Sequence, residues 1–338
     1  MDIVNLSEMD PGWNWLSAVA THTESLHWRH ASTQSETAPP GMPKPVTYQR
    51  VIAARRAAAL LSAPSSLLVS HGPRMTMYGA IALASRFRAR RHLAYSFNFT
   101  ELPHGLTRAL MRRAFRHVDR FVCFSTMERE LYANHFDLDV ARFDMIHWAA
   151  RPPSPATNRD ASLPARYLCA IGSQGRDYRT LMEAMTRLPA IRLVLVATRE
   201  SLVGATVPSN VEVRCSIPLA ESMAILQGAS FNVVPLLGSE VPCGHVTLVA
   251  AMHCAKASIV SDSSGVADYV HDELDGLTVA PRDPAALALQ IERLWHDPGL
   301  ADRLGFAAKA FAQAHCSERA AVDYLQNYLQ LAPILQAA

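Results

Sequence analysis

Two short segments of this 338-residue sequence combine glycines, polar side chains and an adjoining helix in the way that phosphate-binding loops do. The first is IGSQGRDY at 171–178. Its Gly172 and Gly175 allow a ligand to approach the backbone closely, and Arg176 precedes a predicted helix. We expect an anion to bind there, near Arg176. The structural alternative is an ordinary strand-to-helix turn that requires glycine.

The second segment is EVPCGHVTLVAAM at 240–252, which runs from a loop into an apolar helix predicted over 247–255. Amides at a helix N-terminus carry partial positive charge, so they can hold a diphosphate without a cationic side chain. The expected contacts are Gly244, His245, Val246, Thr247 and Leu248. The structural alternative is that Thr247 only caps its own helix. Two such loops in one half of the chain favour the ligand-binding interpretation.

Polar residues also follow two predicted strands of the N-terminal half. His71 ends SSLLVSHG at 65–72, where an imidazole could act as an acid or base, or could hydrogen-bond a sugar or phosphate. A structural histidine is the alternative. The next strand ends in SFNFTE, whose Asn98, Thr100 and Glu101 could contact an acceptor molecule.

A helix predicted over 105–118 carries apolar residues on one side and four arginines around the other: Arg108, Arg112, Arg113 and Arg116. Such a helix could lie on an anionic membrane surface or meet a lipid-linked diphosphate. A solvated arginine face is an equally good interpretation. Nucleic acid is disfavoured, because exposed aromatic residues do not alternate with these arginines.

The elements that must position these residues alternate between strands and helices. In the C-terminal half, short apolar runs such as RYLCAIG and IRLVLVAT alternate with amphipathic segments such as DYRTLMEAMTRL. This order predicts parallel strands with crossover helices, whose ligands bind at the carboxyl ends of the strands. The N-terminal half alternates in the same way.

A proline-rich segment, RPPSPATNRDASLPA at 151–165, is the predicted linker between two domains. We therefore predict an α/β protein with an N-terminal Rossmann-like domain over 1–150 and a C-terminal one over 166–325. This prediction leaves open that the last helix crosses back to the N-terminal domain. Two such domains would face each other across a cleft.

Composition excludes several classes of protein. No run of 18 apolar residues occurs, the N-terminus MDIVNLSEMD is acidic, and the six cysteines are scattered. These features predict a cytoplasmic protein without a disulfide framework. No G-x-G-x-x-G follows the first strand, which disfavours a dehydrogenase. Residues 1–150 contain 17 Lys+Arg and 12 Asp+Glu (+5), whereas the remainder contains 15 and 18 (−3), so the N-terminal half is the basic one.

The stretch from 166 to 296 resembles the donor-binding domain of family 4 glycosyltransferases, which have the GT-B fold. The similar segments are IGSQGRDYRTLMEAM, ASFNVVPL, GHVTLVAAMHCAKASIVSDSSGVADYV and DELDGLTVAPRDPAALALQIERLWHDP. FVCFSTMERELYANHF at 121–136 resembles the end of the family's N-terminal domain. The resemblance implies sugar transfer from a nucleotide sugar, usually UDP- or GDP-linked, with retention of configuration and without a bound metal or other cofactor.

The resemblance also implies site residues. The diphosphate would lie against 172–176 and 244–248, and the loop with Ser216 and Ile217 would read the base. The family's two glutamates correspond to Pro242 and Ala250, neither of which can hydrogen-bond through its side chain. The family's Arg and Lys pair corresponds to Ser173 and Arg176. We expect Glu240 to substitute for a missing glutamate and His245 to contact the diphosphate.

Three functions therefore remain open. The first is a glycosyltransferase, peripheral on the inner face of the membrane, that adds a sugar to a lipid-linked or polysaccharide acceptor. The second is a non-catalytic partner subunit that keeps the fold without the paired glutamates. The third is a nucleotide-sugar epimerase on the same scaffold, which would require more acids and histidines than the second-half loops contain.

Overall fold

Two units make up the chain in the computed structural model, which describes residues 1–10, 12, 15–21, 26–85, 91–156, 162–238 and 243–331. Met1–Ile146 and Ala321–Ala338 form the first unit, and His147–Ala320 form the second. The start of the predicted linker belongs to the second unit: Ala156 N donates to Gln227 Oε1 over 2.7 Å, and Gln227 Nε2 donates to Ser154 O over 2.8 Å.

The first unit is built on a parallel six-stranded sheet in the order β2-β1-β3-β4-β5-β6. Its strands are β1 (Asp2–Ser7), β2 (His27–Ser32), β3 (Leu67–His71), β4 (Arg91–Tyr95), β5 (Arg120–Cys123) and β6 (Phe143–Met145). Its helices are α1 (Ala18–Thr21), α2 (Pro45–Leu60), α3 (Pro73–Ala84), α4 (Gly105–Phe115) and α5 (Thr126–Phe136). Strands β2 and β6 were not predicted from the sequence.

The second unit has a parallel six-stranded sheet in the order β12-β11-β10-β7-β8-β9. Its strands are β7 (Leu168–Ile171), β8 (Leu193–Ala197), β9 (Val211–Cys215), β10 (Asn232–Val234), β11 (Ser258–Ser261) and β12 (Leu277–Val279). Its helices are α6 (Tyr178–Thr186), α7 (Leu219–Gly228), α8 (His245–His253), α9 (Pro284–His296) and α10 (Pro298–His315). These two sheets confirm the prediction of an α/β protein with two Rossmann-like halves.

Both sheets contain a point where the strand order reverses. In the second unit the chain runs from β7 outward to β9, then returns to the other side of β7 with β10. In the first unit the reversal lies between β1 and β3. Loops diverge at such a point and leave a crevice at the carboxyl ends of the strands, where open α/β sheets bind ligands. We therefore expect ligand-binding sites at the carboxyl ends of β7 and β10 and at those of β1 and β3.

The last helix, α11 (Glu318–Leu331), begins in the second unit and continues in the first. Within the first unit, Tyr324 OH donates to Asp144 Oδ2 over 2.7 Å, and the Arg91 guanidinium lies 4.9 Å from the centre of the Tyr328 ring. These contacts attach the helix to Arg91 at the start of β4 and to Asp144 in β6. In the described part of the chain, no helix is both long enough and apolar enough to span a membrane.

Candidate functional site

The loop after β7 is joined to the segment after β10 at the strand reversal of the second unit. Arg176 and Leu236 form an antiparallel bridge, Asp177 N donates to Pro235 O over 3.0 Å, and Leu237 N donates to Gly175 O over 3.1 Å. Asp177 caps α6 by accepting from Thr180 N, as its position before the helix predicted. These bonds join the loop after β7, which the sequence singled out, and the segment after β10 into one surface.

Arg176 is the charged group of this surface, and only 8% of its area is exposed. Its Nη1 donates to Gln174 O over 3.0 Å, while its Nη2 lies 3.4 Å from Ile171 O and 3.5 Å from Thr247 Oγ1. Its Nε is buried without a hydrogen-bond partner, and no carboxylate among the described residues pairs with the guanidinium. A buried cation held only by neutral oxygens is unfavourable, so the site is suited to an anion.

Two glycines with a positive φ lie beside this guanidinium. A Cβ on Gly172, whose φ is +120°, would lie 2.7 Å from Arg176 Nη2. A Cβ on Gly244, whose φ is +102°, would lie 3.3 Å from Val234 Cγ1 and 3.7 Å from Arg176 Nη1. Both glycines therefore serve a positive φ, but only Gly172 also allows a close approach of Arg176.

Helix α8 begins at His245, two residues before the predicted start, because Gly244 adopts the left-handed conformation that ends the preceding loop. Leu248 N is the first helical amide to bond back, to Gly244 O over 3.0 Å. The amides of His245, Val246 and Thr247 thus have no acceptor within the helix. Among the residues that the structure describes, no side chain caps this end of the helix. The local positive charge of the helix is available to a ligand.

Thr247 and His245 do not have the side-chain roles that the sequence suggested. Thr247 does not cap α8; its hydroxyl donates to Ile171 O over 3.1 Å and joins the helix to the end of β7. His245 Nε2 lies 2.7 Å from Gly265 O, and its ring packs on Tyr269. Burial lowers the pKa of His245 to about 4, so the ring is neutral and donates to that carbonyl. His245 can then contact a diphosphate through its backbone but not through this nitrogen.

Three further side chains shape the loop after β7. The Ser173 hydroxyl accepts from Thr198 N over 2.8 Å, which fixes it against the loop after β8. Tyr178 OH donates to Gly172 O, and a Cβ added to Gly175 would clash with Cys243 Sγ. The roles of Tyr178 and Cys243 could not be predicted from the sequence, because they depend on which loops meet at the strand reversal.

Of the two positions that correspond to the family's glutamates, the structure describes Ala250 but not Pro242. Ala250 is buried in an apolar cluster with Ile171 and Val196, and Ile217 packs against the same cluster. Its surroundings therefore have the polarity of a protein core. Pro242 and Glu240 lie outside the described residues. Ser216 is exposed in the left-handed conformation, with a φ of +56°, at the end of β9.

His71 lies at the strand reversal of the first unit, where β3 ends beside β1. Its Nε2 is 2.5 Å from Asn5 Oδ1, and its ring packs on Tyr95. Burial and the nearby His30 lower the pKa of His71 to about 3. The ring is therefore neutral near pH 7, which disfavours the acid or base role and favours a hydrogen-bonding one.

The loop after β4 alternates between buried and exposed side chains. Phe97 and Phe99 are buried, whereas Asn98, Thr100 and Glu101 are exposed. Phe99 N donates to Tyr132 OH over 3.0 Å, and Tyr132 OH donates to Glu128 Oε1 over 2.9 Å. Burial raises the pKa of Glu128 to about 7. The aromatic anchors hold the three polar side chains at the edge of the sheet.

Helix α4 presents both leucines and arginines to solvent. Leu106 is 91% exposed and Leu110 is 49% exposed. Two of the four predicted arginines are engaged within the unit: Arg108 Nε donates to His135 O over 2.7 Å, and Arg112 pairs with Asp137. Arg113 and Arg116 are exposed. The basic surface of the helix is therefore smaller than the sequence suggested.

Comparison with known proteins finds a family model that matches much of the second unit. Residues 166–297 match the model of the family described as glycosyl transferases group 1. No curated protein matches the chain.

Three solved structures resemble the chain over nearly its whole length. Sucrose-phosphate synthase from Thermosynechococcus elongatus is 19% identical over 100% of both chains, with a TM-score of 0.71. HepE from Anabaena, in complex with UDP and glucose, is 14% identical over 98% of this chain and 99% of its own, with a TM-score of 0.73. A trehalose-6-phosphate synthase is 12% identical over 97% and 98%, with a TM-score of 0.69. At these identities the likeness establishes the fold.

Proposed function

We propose, from the premise that residues 166–297 form a group 1 glycosyltransferase domain within a GT-B fold, that the protein transfers a sugar from a nucleoside diphosphate. The donor is a UDP- or GDP-sugar, and the acceptor is lipid-linked or a polysaccharide. The observation that carries the proposal is Arg176, a buried cation with an unpartnered Nε, beside the uncapped start of α8.

The diphosphate is the part of the donor that these groups fit. The α8 amides and the Arg176 guanidinium both attract negative charge, and negative charge grows on the diphosphate as the bond to the sugar breaks. Contacts that strengthen in the transition state accelerate transfer. HepE, which has a similar fold, was crystallised with UDP and with UDP-glucose, which supports a UDP-sugar as the first donor to test.

Retention of configuration and independence of metal ions belong to the same proposal. The trehalose-6-phosphate synthase structure comes from a study of glycosyl transfer with retention, which supports retention here. In this account Arg176 and the α8 amides neutralise the leaving group. Ser216 and Ile217 contact the base, and Asn98, Thr100 and Glu101 hold the acceptor. Glu240 remains the proposed substitute for a missing glutamate.

The test is turnover of radiolabelled UDP- and GDP-sugars by the purified protein, with and without membrane extract as a source of acceptor. We expect slow release of sugar from one donor in water and faster loss of that donor with extract. The same donor should raise the melting temperature. If no donor is consumed and none changes the melting temperature, donor use is contradicted.

A non-catalytic partner subunit is the second candidate. The apolar surroundings of Ala250 favour it, because a position that carries glutamate in the resembled family is here part of the core. Binding of UDP or GDP without release or transfer of any sugar would support this alternative over the enzyme.

A peripheral membrane location is proposed from α4. Leu106 and Leu110 could enter the headgroup region while Arg113 and Arg116 face anionic lipid. Replacing both arginines with glutamine should weaken binding to vesicles of phosphatidylglycerol and phosphatidylcholine. At about 1 kcal/mol per charge, the loss is roughly 30-fold.

The matched control for this prediction is the Arg187→Gln, Arg192→Gln variant, which removes two exposed arginines from the other unit. We expect it to bind vesicles as the wild type does, in a co-sedimentation assay. Equal losses in the two variants would mean that only net charge matters, and no loss in either would remove α4 from a membrane contact.

A further inference from the structure

A chain of four polar side chains crosses three adjacent strands of the first unit and ends at His71. Trp28 and His30 lie on β2, Asn5 on β1 and His71 on β3. Trp28 Nε1 donates to His30 Nε2 over 2.8 Å. Asn5 Nδ2 lies 3.2 Å from His30 Nδ1, and Asn5 Oδ1 lies 2.5 Å from His71 Nε2. Asn5 is directly opposite His30 in the strand register.

The first bond of this chain fixes the proton on His30. An indole nitrogen can only donate, so His30 Nε2 must accept and cannot carry a hydrogen. A neutral imidazole has one protonated nitrogen, which here is Nδ1. Burial lowers the pKa of His30, which favours this neutral form. His30 Nδ1 is therefore a donor towards Asn5.

The proton on His30 in turn fixes the orientation of the Asn5 amide. A donor on His30 requires an acceptor, so the amide oxygen of Asn5 must face His30 and its nitrogen must face His71. The two ends of an amide have the same shape, and the hydrogen-bond network decides between them. With the ends exchanged, every bond in the chain has one donor and one acceptor. Asn5 Nδ2 then donates to His71 Nε2.

We infer that Trp28, His30 and Asn5 are positioning residues that hold His71 in the tautomer whose ring proton is on Nδ1. His71 lies at the strand reversal of this unit, 92% buried and packed on Tyr95, so its ring cannot turn freely. The three positioning residues lie on β1 and β2, the two strands on one side of β3 in the sheet. The chain of donors thus runs in one direction, from Trp28 to His71.

The tautomer decides what His71 offers to a ligand. With Nε2 accepting from Asn5, the ring proton is on Nδ1, which is buried in this structure. An oxygen of a sugar hydroxyl or a phosphate would accept from it only if the side chains that cover it move. This functional part rests on the proposed glycosyltransferase activity, whereas the tautomer itself does not. A donor at this position would orient a bound oxygen and would exchange no proton with it.

The test is nitrogen NMR of the full-length protein labelled with ¹⁵N-histidine and free of ligand. Long-range proton couplings distinguish a protonated ring nitrogen from an unprotonated one, and a His71→Gln variant assigns the signals. We expect His71 to show a protonated Nδ1 and an unprotonated Nε2. The opposite pattern in the wild type would overturn the inference, whatever the variants below do.

Two variants test the positioning chain. Trp28→Phe removes the donor that fixes His30, so the His71 signals should move towards a mixture of both tautomers. Asn5→Asp places acceptors on both sides of the carboxylate, so His71 Nε2 should become protonated. His92, a buried histidine bonded to Ser70, is the internal control, and its signals should not move. Unmoved His71 signals in a folded Trp28→Phe protein would contradict the role of Trp28.

Activity provides a separate readout. In Asn5→Asp, affinity for UDP or GDP should stay within twofold of the wild type while sugar transfer falls at least tenfold. If the NMR pattern changes as expected but transfer does not, the tautomer stands and its role in transfer is rejected. If the protein transfers no sugar at all, the NMR result still decides the tautomer.

Discussion

Replacement of Arg176 by methionine is expected to weaken nucleotide binding strongly while leaving the fold intact. Arg176 is the buried cation beside the start of α8, so its loss should cost about 3 kcal/mol of binding free energy, roughly a hundredfold in Kd. The free energy of unfolding should change little or rise. Replacing an unpaired buried charge by an apolar side chain of similar volume removes a desolvation penalty.

Calorimetric titration with UDP and GDP and chemical denaturation measure the two effects separately. Arg179→Met is the matched control, because Arg179 lies three residues further along, is 80% exposed and pairs with Glu183. It should bind nucleotide as the wild type does. An Arg176→Met protein that binds normally, or that unfolds several kcal/mol more easily without losing affinity, would show that Arg176 is structural.

Replacement of Gly172 by alanine is expected to reduce both stability and nucleotide binding. The φ of +120° is unfavourable for alanine by about 1–3 kcal/mol, and the added Cβ would lie 2.7 Å from Arg176 Nη2. The guanidinium must then move away from α8. We expect at least a tenfold rise in the Kd for UDP or GDP, measured by the same titration.

The Gly204→Ala variant separates the effect of backbone strain from the effect of displacing the Arg176 guanidinium. Gly204 has a φ of +81° in the same unit, and a Cβ there would meet no atom within 4 Å. This variant should lose stability and keep its affinity. If Gly172→Ala also keeps its affinity, the position of the guanidinium does not determine binding. The double variant Gly172→Ala, Arg176→Met should bind no worse than Arg176→Met, because the clash requires Arg176.

The sequence was sufficient to predict the parallel α/β fold, because buried parallel strands read as short apolar runs such as LVLVA in β8. The sequence was not sufficient to predict β2. This strand has the polar sequence HWRHAS and lies at the edge of its sheet. Missing β2 concealed Trp28 and His30, and with them the hydrogen bonds that lead to His71. An edge strand that is covered on one side only lacks the apolar signal.

The candidate site was predictable in part for a related reason. Gly172, Arg176 and Gly244 stand out locally, because glycines and a cation before a helix are typical of anion-binding loops, although a plain strand-to-helix turn also uses glycine. The roles of His245 and Thr247 depend on partners 20 and 76 positions away, Gly265 and Ile171. Such partners are fixed by the strand order, which the sequence of either loop does not encode.

The central claim is that the two loops at the β7/β10 strand reversal hold the diphosphate of a nucleotide sugar. Calorimetric titration of the wild-type protein with UDP, UMP, GDP and GMP tests it most directly. We predict that one diphosphate binds and that its monophosphate binds at least about tenfold more weakly, since the second phosphate contacts the α8 amides and Arg176. Equal affinity for the diphosphate and monophosphate, or no binding of either base, would contradict the claim.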